Sequence, residues 1–315
     1  MLAVLGALVA NGLITILKFI GAVLTGSSGM MAEGFHSLAD TTNQVFLLLG
    51  LRFYKKPASE KHPFGFGKER FFWSFIAAIF IFGVGATYAI YEGIDKIRHP
   101  HEITNLYWAY WILGISFVLE AGSIALALYQ EIGEAHHEGM TFGEYLRESK
   151  DPTAKTVIFE DSAALIGIVL AAAGLLLGQY KVPPAEGVMW DGIASVTIGV
   201  VLAIVAFGLA RSSRGLLLGE AATTKNVNAI RKAMESHPNV VGVAELLTMH
   251  LAPKQILVNA HINLKDDLSN TQIVETISEV EAAMKKAEPK VDMIFLETAM
   301  LKESKAAKAN HEHTD

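Results

Sequence analysis

Glu33-Gly34-Phe35-His36-Ser37-Leu38-Ala39-Asp40 sets a histidine and an aspartate four residues apart inside a segment apolar enough to sit in a membrane. On a helix, positions i and i+4 stack on one face about one turn apart, so both side chains can grip one small cation. An ionisable residue in a lipid-spanning helix costs roughly 2.5–3.5 kcal/mol on insertion scales, which marks it as functional. The rest of the chain reads as a device built around this pair.

Composition agrees with a membrane protein. Hydrophobic residues make up 51% of the 315 and charged residues only 18%, with mean hydropathy +0.35; soluble chains carry about 25% charged residues. The net charge of −6 comes with no basic patch carrying interleaved aromatics, which excludes nucleic-acid binding. The absence of cysteine excludes disulfides and thiolate metal sites.

A spanning helix needs about 20 mainly apolar residues. Six segments qualify: 2–24, 29–53, 71–92, 106–130, 154–178 and 188–210. No basic region precedes the first, and Lys18 lies deep within it, so it reads as a retained span and not a signal peptide. Thr25-Gly26-Ser27-Ser28-Gly29 is a short uncharged turn that folds the first two spans into an antiparallel hairpin. Arg52, Lys55, Lys56, Lys61, Lys68 and Arg70 follow the second span, Arg147, Lys150 and Lys155 the fourth, and Arg211 and Arg214 the sixth. The opposite loops hold Lys96, Arg98 and Lys181, so both termini are expected in the cytoplasm, in a bacterial cytoplasmic (inner) membrane.

Polar residues within the spans, among them Asn11, Asn43, Ser74, Ser123 and Ser195, read first as interhelical hydrogen-bonding positions. Lys18 either snorkels or pairs with a carboxylate. Glu120, in mid-span, is either that partner or part of a proton or ion path.

Beyond residue 213 the pattern changes. A helix at 223–236, strands at 240–251 and 255–264, a helix from the cap Ser269 to Ala287 and a strand at 291–299 give a small α+β domain. The expected division is a transmembrane domain at 1–212, an α+β dimerisation domain at 213–301 and a polar, disordered tail at 302–315.

A tetrahedral divalent site wants about four ligands, so a second helix must add to His36 and Asp40. The fifth span offers Glu160-Asp161. Asp161 begins a strongly apolar run and is the better-placed carboxylate. Glu160 points about 100° away on a regular helix and is the less secure ligand. Two bland readings stand beside these: an acidic helix N-terminus at the membrane interface for Glu160-Asp161, and a structural hydrogen-bonded pair for His36 and Asp40.

The stretches Gly26-Ser27-Ser28-Gly29-Met30-Met31-Ala32-Glu33-Gly34-Phe35-His36-Ser37-Leu38-Ala39-Asp40 and His62-Pro63-Phe64-Gly65-Phe66-Gly67-Lys68-Glu69-Arg70, with Asp191-Gly192-Ile193-Ala194-Ser195, resemble the cation diffusion facilitator family of divalent-metal transporters. The resemblance covers nearly the whole chain. It implies six transmembrane helices, a cytoplasmic metallochaperone-like domain, a homodimer, and metal export coupled to proton entry. It also implies a transport site with one i, i+4 pair on the second helix, here His36 and Asp40, and another on the fifth. There Asp161 matches the acidic member, but Val157 stands four before it, so the fourth ligand is open among Glu160, Asn43, water and a residue brought in by a shifted helix register. His62 matches one ligand of a loop site, with Phe66 where a second is needed. His261 matches one ligand of a cytoplasmic dimetal site, whereas Ala244 and Phe295-Leu296-Glu297 lack the others. Neither accessory site is expected to be complete. His136-His137, His311 and His313 read either as loose metal-holding clusters or as solvated surface.

The expected function is secondary export of a divalent metal, Zn²⁺ first and Mn²⁺, Co²⁺ or Fe²⁺ next, in exchange for protons, with the lipid bilayer and a second copy of the chain as partners. No nucleotide-binding G-x-x-x-x-G-K-[ST] occurs, no resident cofactor is implied, and the chain is not expected to be an enzyme. The competing readings are a membrane metal sensor or scaffold without transport and, behind it, an intramembrane metalloenzyme with His36, Asp40 and Asp161 on zinc.

Overall fold

The computed structural model describes residues 2–137, 139–180 and 184–298. The tail expected at 302–315, with His311 and His313, lies outside the described residues. The chain forms α1 (Leu2–Thr25), α2 (Ser28–Phe53), α3 (Glu69–Phe80), a π-helical turn (Ile81–Ala86), α4 (Thr87–Arg98), α5 (Leu106–His137), α6 (Phe142–Glu148), α7 (Pro152–Tyr180) and α8 (Pro184–Leu218). The C-terminal part follows as α9 (Thr224–Glu235), β1 (Val240–Ala252), β2 (Gln255–Leu264), α10 (Asn270–Ala287) and β3 (Val291–Thr298). These elements fall into two compact units, one of residues up to Pro57 with Glu69–Arg214, the other of Ala58–Lys68 with Gly215 onward.

The first unit is a membrane-type bundle. Four stretches among the described residues are long and apolar enough to cross a bilayer: Glu69–Arg98, Leu106–His137, Lys155–Gln179 and Val188–Leu218. The first of these joins α3, the π turn and α4 into one rod. Large apolar side chains such as Val118, Ile204 and Phe207 face outward, whereas alanines and polar groups fill the interior. That pattern suits lipid as the solvent. Gly93 of α4 lets α8 approach so closely that a Cβ there would lie 2.6 Å from the Gly192 carbonyl oxygen.

α2 is the hub. It packs against α1, α3, the π turn, α4 and α7. It has the length of a span, 26 residues, but its inner face carries Glu33, His36, Ser37 and Asn43 instead of apolar groups. Its start is fixed twice. Ser27 caps it, accepting from the Met30 amide at 3.1 Å. Asp191 of α8, fully buried, accepts from Ser27 Oγ at 2.6 Å, Ser28 N at 2.6 Å, Ser28 Oγ at 3.0 Å and Gly29 N at 3.2 Å. An anion at a helix N-terminus is favoured by the free amides and the helix dipole. Gly26, at φ +68°, makes the turn from α1, and Lys96 of α4 donates to its carbonyl at 2.6 Å.

The second unit holds a three-stranded sheet in the order β1-β2-β3, with β1 antiparallel and β3 parallel to β2. Ile230 and Met234 of α9 and Val280 and Met284 of α10 are buried with Ile256, Val258, Ala260 and Ile262 of β2. A capping box of Ser269 and Gln272 starts α10. The helix, strand, strand, helix, strand order matches the sequence reading.

Candidate metal centre

The inner face of α2 repeats at helical spacing. Glu33, His36 or Ser37, Asp40 and Asn43 recur at steps of three or four residues and form one polar stripe. His36 is 1% exposed, and its Nε2 lies 3.4 Å from Asp40 Oδ2. The pair expected from the i, i+4 spacing is therefore present on one face.

α7 brings the acidic pair to this stripe, with its two members turned apart. Glu160 faces α2, where the Asn43 side-chain amide donates to Oε1 at 2.6 Å and to Oε2 at 2.5 Å. Asp161 faces α5, where Ser123 Oγ donates to Oδ2 at 2.8 Å. One residue step on a helix rotates the side chain by about 100°, which accounts for the divergence. Both still border one cavity of about 80 Å³, walled also by Asp40, Asn43, Glu120, Ser123, Ser37 and Asn11.

Four carboxylates therefore surround one small space among apolar helices: Asp40 from α2, Glu120 from α5, and Glu160 and Asp161 from α7. Like charges this close, shielded from water, demand positive charge, either a cation or protons. Several buried polar atoms nearby have no hydrogen-bond partner among the described residues: Asp40 Oδ1, Asn43 Oδ1, and both ring nitrogens of His36. A buried polar atom left unpaired costs about 1–3 kcal/mol. Such a cost is tolerated where a ligand satisfies it. The donors are one imidazole, carboxylates and an amide oxygen, a mixed N/O set suited to a first-row divalent ion. Among the described residues, no three His, Asp or Glu side chains are closed into a coordination shell.

Asn43 and Ser123, read as interhelical hydrogen-bonding positions, are so: each holds one of the two α7 carboxylates. Sequence reasoning undervalued two further residues. Glu120, left between two roles, lies on the cavity wall. Glu33, unremarked in its own motif, binds Lys18: the ammonium donates to Glu33 Oε2 at 2.9 Å and to Ser37 Oγ at 2.7 Å. Only the mid-span placement of these groups signalled a role.

The accessory histidines are arranged differently. His62 packs its ring on Phe66, with centroids 4.5 Å apart. His261 on β2 lies between Glu245 on β1 (Nδ1 to Oε2, 3.7 Å) and Glu297 on β3 (Nε2 to Oε2, 3.0 Å), partners set by strand register. His136 and His137 are exposed in the last turn of α5.

Comparison with known proteins adds to this geometry. The family model of the cation efflux transmembrane domain matches residues 4–218, and that of the cation efflux protein cytoplasmic domain matches residues 222–296. The chain is 30% identical over 329 aligned positions to the mouse protein named proton-coupled zinc antiporter SLC30A9, mitochondrial, covering 99% of this chain and 57% of the relative. It is 32% identical to metal tolerance protein C4 of Arabidopsis thaliana, covering 84% of this chain and 57% of that protein. It is 26% identical to the cation-efflux pump FieF of Shewanella oneidensis, covering 88% and 87%. The chain thus spans little more than half the length of the first two relatives.

Proposed function

The chain belongs to the cation efflux, or cation diffusion facilitator, family, and from that premise we propose that it exports a divalent metal ion, Zn²⁺ first among candidates, in exchange for protons. The observation that carries this reading is the ring of Asp40, Glu120, Glu160 and Asp161 around one cavity beside His36. Zinc is favoured by the imidazole in a mixed N/O set. The names of the mouse and Arabidopsis relatives, a zinc antiporter and a metal tolerance protein, point the same way.

The cycle follows from ligand chemistry. Imidazole and carboxylates hold metal only when deprotonated, so metal and protons compete for the same atoms. With the cavity open to the cytoplasm, a cation displaces protons from Asp40, His36 and the α7 carboxylates. With the cavity open to the other side, protons displace the cation. Rocking of helices about a fixed central site accomplishes the exchange. Arg52, Lys55, Lys56 and Lys61 after α2 support a cytoplasmic position for that end by the positive-inside rule. The C-terminal domain serves a homodimer.

The test is Zn²⁺ flux into sealed proteoliposomes carrying the purified chain, at zero membrane potential. Flux should follow an imposed pH gradient and reverse with it. Binding without flux would favour a sensor, and flux indifferent to the gradient would remove the proton coupling.

A further inference from the structure

We propose that Glu33 restrains Lys18 as a tethered cation, keeping it off the cavity carboxylates, and that this restraint sets how tightly the cavity takes a divalent ion. The inference rests on reading the cavity as the cation site.

Lys18 on α1 and Glu33 on α2 are both fully buried, with Nζ and Oε2 2.9 Å apart. The ammonium's second partner, Ser37 Oγ at 2.7 Å, stands on the cavity wall with Asp40 and Glu120. Room for Glu33 is provided by Gly167 of α7, where a Cβ would collide with Oε1. The ammonium is thus parked one helical turn from the site, on a carboxylate given its own niche.

An ammonium inside an apolar bundle must rest on an anion, because its desolvation is otherwise uncompensated. The flexible lysine stem can turn about Ser37. If Glu33 loses its charge, Asp40 and Glu120 become the next anions within reach. Seated there, the ammonium neutralises metal ligands and occupies their lone pairs. Lys18 becomes a competitor of the transported ion, and Glu33 is what prevents it.

The experiment is calorimetric Zn²⁺ titration of the full-length purified chain. Glu33→Gln should weaken binding by at least about tenfold. Adding Lys18→Met to it should return affinity to within about threefold of the parent, because the competitor is gone. A mere packing role forecasts the opposite, with the two losses accumulating. Lys18→Met alone should bind no more weakly than the parent. Unchanged affinity in Glu33→Gln, or a double variant as weak as Glu33→Gln, overturns the inference and leaves the transport reading standing. Should Glu33→Gln fail to fold, Lys18→Met decides: a loss of about tenfold there overturns it. A parent chain that takes up neither Zn²⁺ nor Mn²⁺ removes the transport reading and this inference together.

Discussion

Asn43 of α2 donates its side-chain amide to both carboxylate oxygens of Glu160 on α7, at 2.6 and 2.5 Å. The helix that carries His36 and Asp40 is thereby tied to the helix that carries Asp161. The contact orients Glu160 and occupies it, whereas Asp161, held by one serine hydroxyl, is restrained by a single bond. Two neighbouring carboxylates are accordingly held differently.

From that difference, Asp161→Ala and Asp40→Ala should each abolish Zn²⁺ flux while the protein still inserts and dimerises. Glu160→Gln keeps the shape and one acceptor for Asn43, so it should retain flux with KM raised about tenfold, the loss of one charged ligand. Proteoliposome kinetics separate the two. Normal flux in Asp161→Ala with a dead Glu160→Gln would make Glu160 the principal α7 ligand. Full activity in both would remove α7 from the site.

Asp191 gives a second prediction. It accepts four hydrogen bonds from Ser27, Ser28 and Gly29 while fully buried. Asp191→Ala leaves those donors unpaired in a closed space, and should destabilise the bundle by about 3 kcal/mol or more. Thermal melting in detergent would register this as a lowered Tm. Asp191→Asn retains acceptor capacity and should lose less. Equal melting of both variants and the parent would mean that α2 is anchored elsewhere.

These contacts show what a linear reading reaches. The i, i+4 pair was legible because helix periodicity alone puts His36 and Asp40 on one face. The α+β order was legible because its caps, turns and alternating strands are local. The facing of Glu160 and Asp161 was not, since it depends on which neighbours α7 packs against. Pairings such as Lys18 with Glu33, or Ser27 with Asp191 across 164 residues, leave no local trace. The π-helical turn Ile81–Ala86 was also hidden, because it lies inside one continuous apolar run and changes only the backbone hydrogen bonding.

In the C-terminal domain, His261 is flanked by Glu245 and Glu297, and both carboxylates are mostly exposed to solvent. Solvated ligands gain little from a fixed geometry, so a tight centre is not expected there. Zn²⁺ titration of the full chain and of His261→Ala should give the same number of tight sites. The loss of a tight site in His261→Ala would show that this domain does hold metal.

His36 provides the most specific prediction. It is the imidazole of the candidate site, its Nε2 3.4 Å from Asp40 Oδ2, and buried with neither ring nitrogen hydrogen-bonded among the described residues. Replacing it by aspartate keeps a ligand on the same face of α2 but exchanges a borderline nitrogen for a hard oxygen. Oxygen-rich sites suit Mn²⁺, whereas imidazole suits Zn²⁺. His36→Asp should therefore still transport, with the Zn²⁺ over Mn²⁺ preference reduced by at least about tenfold, the equivalent of about 1.4 kcal/mol. Competition flux with both ions in one assay reads this ratio directly and is insensitive to expression level. An unchanged ratio with flux intact would show that His36 does not touch the ion, and would assign the selectivity to Asp40, Glu120 and the α7 carboxylates.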